Sequence, residues 1–138
     1  MNALYDFFLT PQPKDSNKTR YHARLVVRDT ITLEDIAETI ESRSSLRQSD
    51  VIGSFIEFAN VFKQELSNGN SIHIPGIGSF RIKAESPEVR SPKEIRAENI
   101  HCSGIVFTPE KDLLRELKAT TFEKVTGVER YRNRREIS

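Results

Sequence analysis

Between Gln48 and Ser67 the chain carries apolar side chains at Val51, Ile52, Phe55, Phe58, Ala59, Phe62 and Leu66. That spacing places them along one wide face of a helix. Three of the seven are phenylalanines, and at 1.5 Å per residue the helix is about 30 Å long. A stripe of that size must be covered by something. The chain has 138 residues, of which 36% are apolar, so it holds one domain's worth of chain and a small core. Whatever it folds into is organised around this helix.

The segments on either side follow a definite order. Upstream, Thr32 is a helix-capping residue, Glu34 and Asp35 suit the positive end of a helix, and Leu33, Ile36, Ala37 and Ile40 form an apolar stripe. Ser42-Arg43-Ser44-Ser45 separates that helix from the long one. Downstream, Asn68-Gly69-Asn70 stops the long helix, with Gly69 suited to a left-handed cap. The period then changes from 3.6 to 2: Ile72 and Ile74 alternate with Ser71 and His73, and Pro75-Gly76-Ile77-Gly78-Ser79-Phe80 leads into Arg81-Ile82-Lys83. Gly76 and Gly78 between two strands predict a tight reversal with no room for side chains. A nucleotide-binding glycine loop would instead open a helix. Glu85 to Arg96 is polar and holds Pro87 and Pro92, a third strand fits Asn99–Phe107, and Thr108-Pro109-Glu110 predicts a helix with Pro109 at its first position and Leu113, Leu114 and Leu117 on one side.

The two ends are less patterned. Tyr5, Phe7 and Phe8 crowd the start, Thr10 to Asn17 reads as an extended loop, and Arg20 to Val27 alternates as one half-buried strand. Beyond Lys118 periodicity fades into a basic tail. The expected division is therefore 1–30, an N-terminal extension with a strand; 31–118, the main domain; and 119–138, the tail.

Composition narrows the function classes. No stretch approaches the ~20 apolar residues of a membrane span, and the first residues lack the basic and long apolar regions of a signal peptide, which predicts a cytoplasmic protein. The single Cys102 excludes an internal disulfide and is read as an inert core residue of a strand. His22, His73 and His101 lie on separate strands without metal-ligand spacing. No Ser/His/Asp grouping or phosphate loop is legible, so the expectation is no enzyme, no cofactor, no metal and no small-molecule substrate. The 21 basic and 20 acidic residues are unevenly placed: residues 31–69 hold three basic against seven acidic side chains, and basic residues are in excess on both sides.

The order of elements and the motif Ile74-Pro75-Gly76-Ile77-Gly78-Ser79-Phe80 after a long helix ending in Asn-Gly resemble the bacterial HU/IHF family of histone-like DNA-binding proteins. Thr32-Leu33-Glu34-Asp35-Ile36-Ala37 is similar to that family's opening helix, Lys93-Glu94-Ile95 to its returning arm strand, and Ile105-Val106-Phe107 to its C-terminal segment. The Tyr21-His22-Ala23-Arg24 strand and the tail resemble a longer branch of HU-like proteins. The resemblance implies an α+β fold: an HU/IHF-like intertwined homodimer with two N-terminal helices, a three-stranded antiparallel sheet with a β-arm, a C-terminal helix and, here, an extra N-terminal strand. It implies a nucleoid protein that binds and bends double-stranded DNA with low sequence specificity.

Carried onto this sequence, the resemblance places the DNA contacts at Arg81, Lys83, Arg90, Lys93 and Arg96, with Arg90-Ser91-Pro92 at the arm tip. Pro92 is read either as the wedge between base pairs or as a guard against edge pairing. Arg132, Arg134 and Arg135, with Arg130 and Tyr131, would add contacts from the tail. Glu85, Glu88, Glu94 and Glu98 interrupt the arm bases. Their presence keeps a second expectation in play: an HU-fold dimer acting as a protein interaction or assembly module with weak or no DNA binding.

Overall fold

In the computed structural model, residues 1–11 and 19–125 are described, apart from the side chains of 9–11 and 19. The order is β1 (Ala3–Pro11), β2 (Thr19–Val26), α1 (Leu33–Arg43), α2 (Gln48–Ser67), β3 (Ile72–Ile74), β4 (Gly78–Glu85), β5 (His101–Pro109), α3 (Lys111–Lys118) and β6 (Phe122–Lys124). The described residues form two compact units: residues 33–117 make one, and the described residues before 33 and after 117 make the other.

In the 33–117 unit, α2 covers the segment its periodicity predicts. Its first turn is held by α1: the Gln48 backbone N–H donates to Glu41 Oε2 at 2.8 Å. Its end is a Schellman motif, in which Gly69 N–H donates to Leu66 O and Asn70 N–H to Glu65 O. Ala37 from α1 and Val51 and Leu66 from α2 are buried. The phenylalanines form a continuous chain of ring contacts. Phe55 meets Phe58 (6.4 Å between centroids), Phe58 meets Phe62 (5.7 Å), Phe62 meets Phe80 on β4 (5.2 Å), and Phe80 stacks on Phe107 of β5 (4.8 Å). Each such pair adds about 0.5–1.5 kcal/mol beyond simple burial. Yet Phe55 is 45% and Phe58 44% exposed, so the outer end of this ladder lies open.

The sheet of this unit runs β3-β4-β5, all antiparallel. The reversal between β3 and β4 is a turn in which Ile77 N–H donates to Ile74 O, with Pro75 at its second position and Gly76 at φ +83°. That is the pattern of a type II turn. Gly78 has φ +150°, and a Cβ there would lie 2.2 Å from Thr108 O. Glu110 locks the turn to the far end of the sheet. Its Oε2 accepts from Gly76 N–H at 2.9 Å, its Oε1 pairs with His73 Nε2 at 3.1 Å, and His73 Nδ1 lies 3.2 Å from Ser79 Oγ. Pro109 ends β5 instead of opening α3, as the sequence predicts for it. The reason is that a final strand position needs no N–H donor, and Glu110 then supplies the carbonyl that accepts from Leu114 N–H.

The other unit departs further from the sequence reading. In place of one extra strand there is a three-stranded sheet, β2-β1-β6. β1 pairs antiparallel with β2 and parallel with β6. Ala3–Pro11 escapes the period-2 test because the central strand carries aromatic rings on both faces. β6 escapes it because three residues are too few to show a period. Leu4, Val26 and Val125 form its buried cluster, and Arg28 ties the start to the end by donating to Asn2 O at 2.6 Å and pairing with Glu123 at 3.3 Å.

Three substitutions have stability effects that this geometry sets. Gly78→Ala should cost at least about 2 kcal/mol, because the added methyl meets backbone, whereas Gly53→Ala, with open space around it on α2, should gain about 0.5–1 kcal/mol. Glu110→Ala should lose about 1–2 kcal/mol through the freed Gly76 N–H. Denaturant unfolding of the three variants reads all of these differences.

Candidate nucleic-acid interface

Alternation along β4 sorts its side chains. Phe80, Ile82 and Ala84 share one face, and Ser79, Arg81, Lys83 and Glu85 share the other. Phe80 sits in the phenylalanine ladder, so the first face is the one that turns to α2. Arg81 and Lys83 therefore project from the opposite face, beside Val106 and Gly104 of β5. A register shift between Lys83 and Ala84 leaves Ser103 as an extra residue on β5, where its hydroxyl donates to Lys83 O at 3.4 Å. Such a bulge raises the local twist of a ribbon.

The ladder ends at Glu85↔His101. From 86 to 100 the chain does not continue as two paired strands. Lys93-Glu94-Ile95 is not a returning arm strand, because Pro92–Glu94 forms a 3₁₀ turn, and Ala97–Asn99 forms a second. The cause is local chemistry. Ser91 Oγ accepts from Lys93 N–H at 3.4 Å, and Pro92 sits at the first turn position, where a missing N–H costs nothing. β5 accordingly begins at His101, since Asn99 closes the second turn through its N–H to Arg96 O.

This arrangement engages two of the four acidic residues, Glu85 and Glu94, and leaves Glu88 and Glu98 exposed. Glu85 is paired with Lys83 at 3.2 Å, and Glu94 Oε2 accepts from the backbone N–H of Arg90 at 3.3 Å. Arg81, Arg90, Lys93 and Arg96 are exposed and have no ion pair among the described residues. Four cations thus stand along β4 and the excursion it leads into. Arg130, Tyr131, Arg132, Arg134 and Arg135 lie outside the described residues.

Cys102 is exposed, contrary to the core position expected of it. It faces the same way as Ala84 at the end of the ladder, and its thiol donates to Gly104 O at 3.4 Å. His22, His73 and His101 stay on separate strands, and no group of His, Cys, Asp or Glu among the described residues could hold a metal ion. The Glu110 clasp on the glycine turn escaped the sequence reading. Glu110 is 34 positions from Gly76, and no local spacing marks such a pair.

Comparison with known proteins adds four findings. Residues 1–124 match the family HU-HIG, described as an HU domain fused to a wHTH, Ig or glycine-rich motif. A solved structure of a candidate bacterial DNA-binding protein from Bacteroides vulgatus is similar, with TM-score 0.59 and 15% identity, over 88% of this chain and 48% of that one. This chain thus spans about half the length of that protein, and the likeness shows a shared fold. A structure of Anabaena HU with DNA aligns with TM-score 0.42 and 18% identity, over 64% of this chain and 97% of that one. No curated protein matches the sequence.

If the excursion is held by its own turns, Ser91→Ala should release the Pro92–Glu94 turn, at a cost of about 0.5–1 kcal/mol confined to this segment. Faster amide hydrogen exchange at Lys93 and Glu94, with rates in α2 unchanged, is the expected result.

Proposed function

The chain belongs to the HU-HIG family, and we propose that it is a dimeric protein that binds double-stranded DNA with little sequence preference and bends it. One observation carries this reading: Arg81, Arg90, Lys93 and Arg96 are exposed along β4 and its excursion without an ion pair among the described residues. Exposed cations without ion pairs, on β4 and on the turns that follow it, are the equipment for neutralising phosphates, and they read no base identity. The exposed rings of Phe55 and Phe58 support the dimer, because an aromatic face on α2 that no other part of its own unit covers is suited to the same face of a second copy. In this reading Pro92, exposed at the start of its 3₁₀ turn, wedges between base pairs.

A second reading, a dimer serving protein assembly, draws on the formal net charge of +1, low for a DNA-coating protein. The test separates the two. Anisotropy of a labelled duplex of about 30 base pairs, at about 50 and 200 mM salt, should show binding that falls steeply with salt. Arg90→Glu/Lys93→Glu/Arg96→Glu should weaken it at least about 10-fold on every sequence and reduce the salt slope by about 2–3. No duplex binding at the lower salt would favour the assembly reading. Phe58→Asp should convert the dimer to monomer in size-exclusion light scattering.

A further inference from the structure

The last residue of β1 that β6 pairs is Tyr5, and beyond it β1 and β2 continue as a two-stranded ribbon from Asp6↔Arg24 to Pro11↔Thr19. At about 3.3 Å per residue this ribbon is about 20 Å long. Phe7 and Phe8 are consecutive, so they point to opposite faces, and each face repeats the same construction. On one, Phe7 meets Tyr21 edge-on at 5.9 Å and Lys124 Nζ lies 4.8 Å above the Phe7 ring. On the other, Phe8 meets His22 at 5.7 Å with 33° between the planes, and the Arg24 guanidinium lies 5.7 Å above Phe8. The rings stay accessible: Phe7 is 43%, Phe8 40% and Tyr21 64% exposed.

We propose that this ribbon is a second nucleic-acid site, one that takes the unpaired bases of a single strand by stacking on Tyr21, Phe7 and Phe8 while Arg24 and Lys124 meet the phosphates. The solvent face of an ordinary sheet is polar, and here both faces of the ribbon carry rings with a cation on each. A ligand that uses both must offer flat π-surfaces and negative charge together, as single strands do. A duplex buries its base faces in the stack and shows these rings only phosphates and groove edges. Asp6 is the one carboxylate on the described part of the ribbon. Its 3.7 Å pairing with Arg24 is half-exposed and weak, and it leaves the guanidinium able to turn to a phosphate. The site lies wholly in the N-terminal unit and does not depend on the arm cations.

The test uses the full chain with a labelled oligothymidine of about 20 nucleotides and, in parallel, a duplex. Phe8→Ala/Tyr21→Ala should weaken oligothymidine binding at least about 10-fold, as expected for lost base stacks, and change duplex binding less than about 2-fold. The arm charge reversals should do the opposite. The chain has three tyrosines and no tryptophan, so a base stacked on Tyr21 quenches the intrinsic fluorescence directly. Tyr21→Phe, which keeps the ring, should retain affinity and lose most of that quenching. Failure of the wild-type chain to bind oligothymidine at about 50 mM salt, equal affinity in the double variant, or undiminished quenching in Tyr21→Phe would each overturn the proposal. Loss of the arm effect alone would overturn only the duplex reading.

Discussion

The ring contact between Phe62 on α2 and Phe80 on β4 is the joint on which the 33–117 unit depends. It decides which face of β4 turns inward, and period 2 then sends Arg81 and Lys83 to the opposite face. Phe107 extends the joint across the sheet, while Phe58 and Phe55 extend it along the helix and out into solvent. One row of phenylalanines therefore packs helix to sheet at one end and leaves an open aromatic face at the other. It also divides an apolar side from a basic one without any buried charge among the described residues.

Tight local geometry keeps that joint in register. The turn at Pro75-Gly76 brings β4 back beside β3, and Gly78 passes so close to Thr108 that no side chain fits. The Glu110 clasp then fastens this corner to the start of α3 through Gly76 and His73. The excursion between β4 and β5 works differently. It has no partner strand, so its backbone groups bond within 3₁₀ turns set by Ser91 and Pro92. The outcome is a short paired ribbon followed by a segment of 3₁₀ turns that carries Arg90, Lys93 and Arg96 beside Glu88, Glu94 and Glu98, where the sequence alone suggested a continuous hairpin arm.

The N-terminal unit rests on long-range pairing. β6 lies parallel to β1 across more than a hundred residues of chain, flanked by Ala3 N–H to Thr121 O and Val125 N–H to Tyr5 O. That pairing gives the β1–β2 hairpin the third strand that an isolated hairpin lacks. It also brings Lys124 over Phe7, which makes a cation–aromatic pair from residues at opposite ends of the sequence.

The sequence by itself determined whatever local chemistry decides. The bounds of α2 follow from its apolar period and the Asn68-Gly69 stop, and the reversal at Gly76 and Gly78 from glycine spacing, whereas the candidate cations Arg81, Lys83, Arg90, Lys93 and Arg96 come only from the family resemblance. The tertiary structure decided what depends on distant partners. It made a strand of Ala3–Pro11, whose rings serve two faces and so show no alternation, and another of Phe122–Lys124, too short to carry a period. It exposed Cys102, because the apolar face of the sheet runs on past the part that Phe62 reaches. It also paired Glu85 with Lys83 and set Glu94 against the Arg90 amide, and it left Glu88 and Glu98 exposed beside the arm bases. Spacing along a chain reports which side chains share a face. Which of those faces is covered, and which charges are already paired, depends on contacts that only the folded backbone brings together.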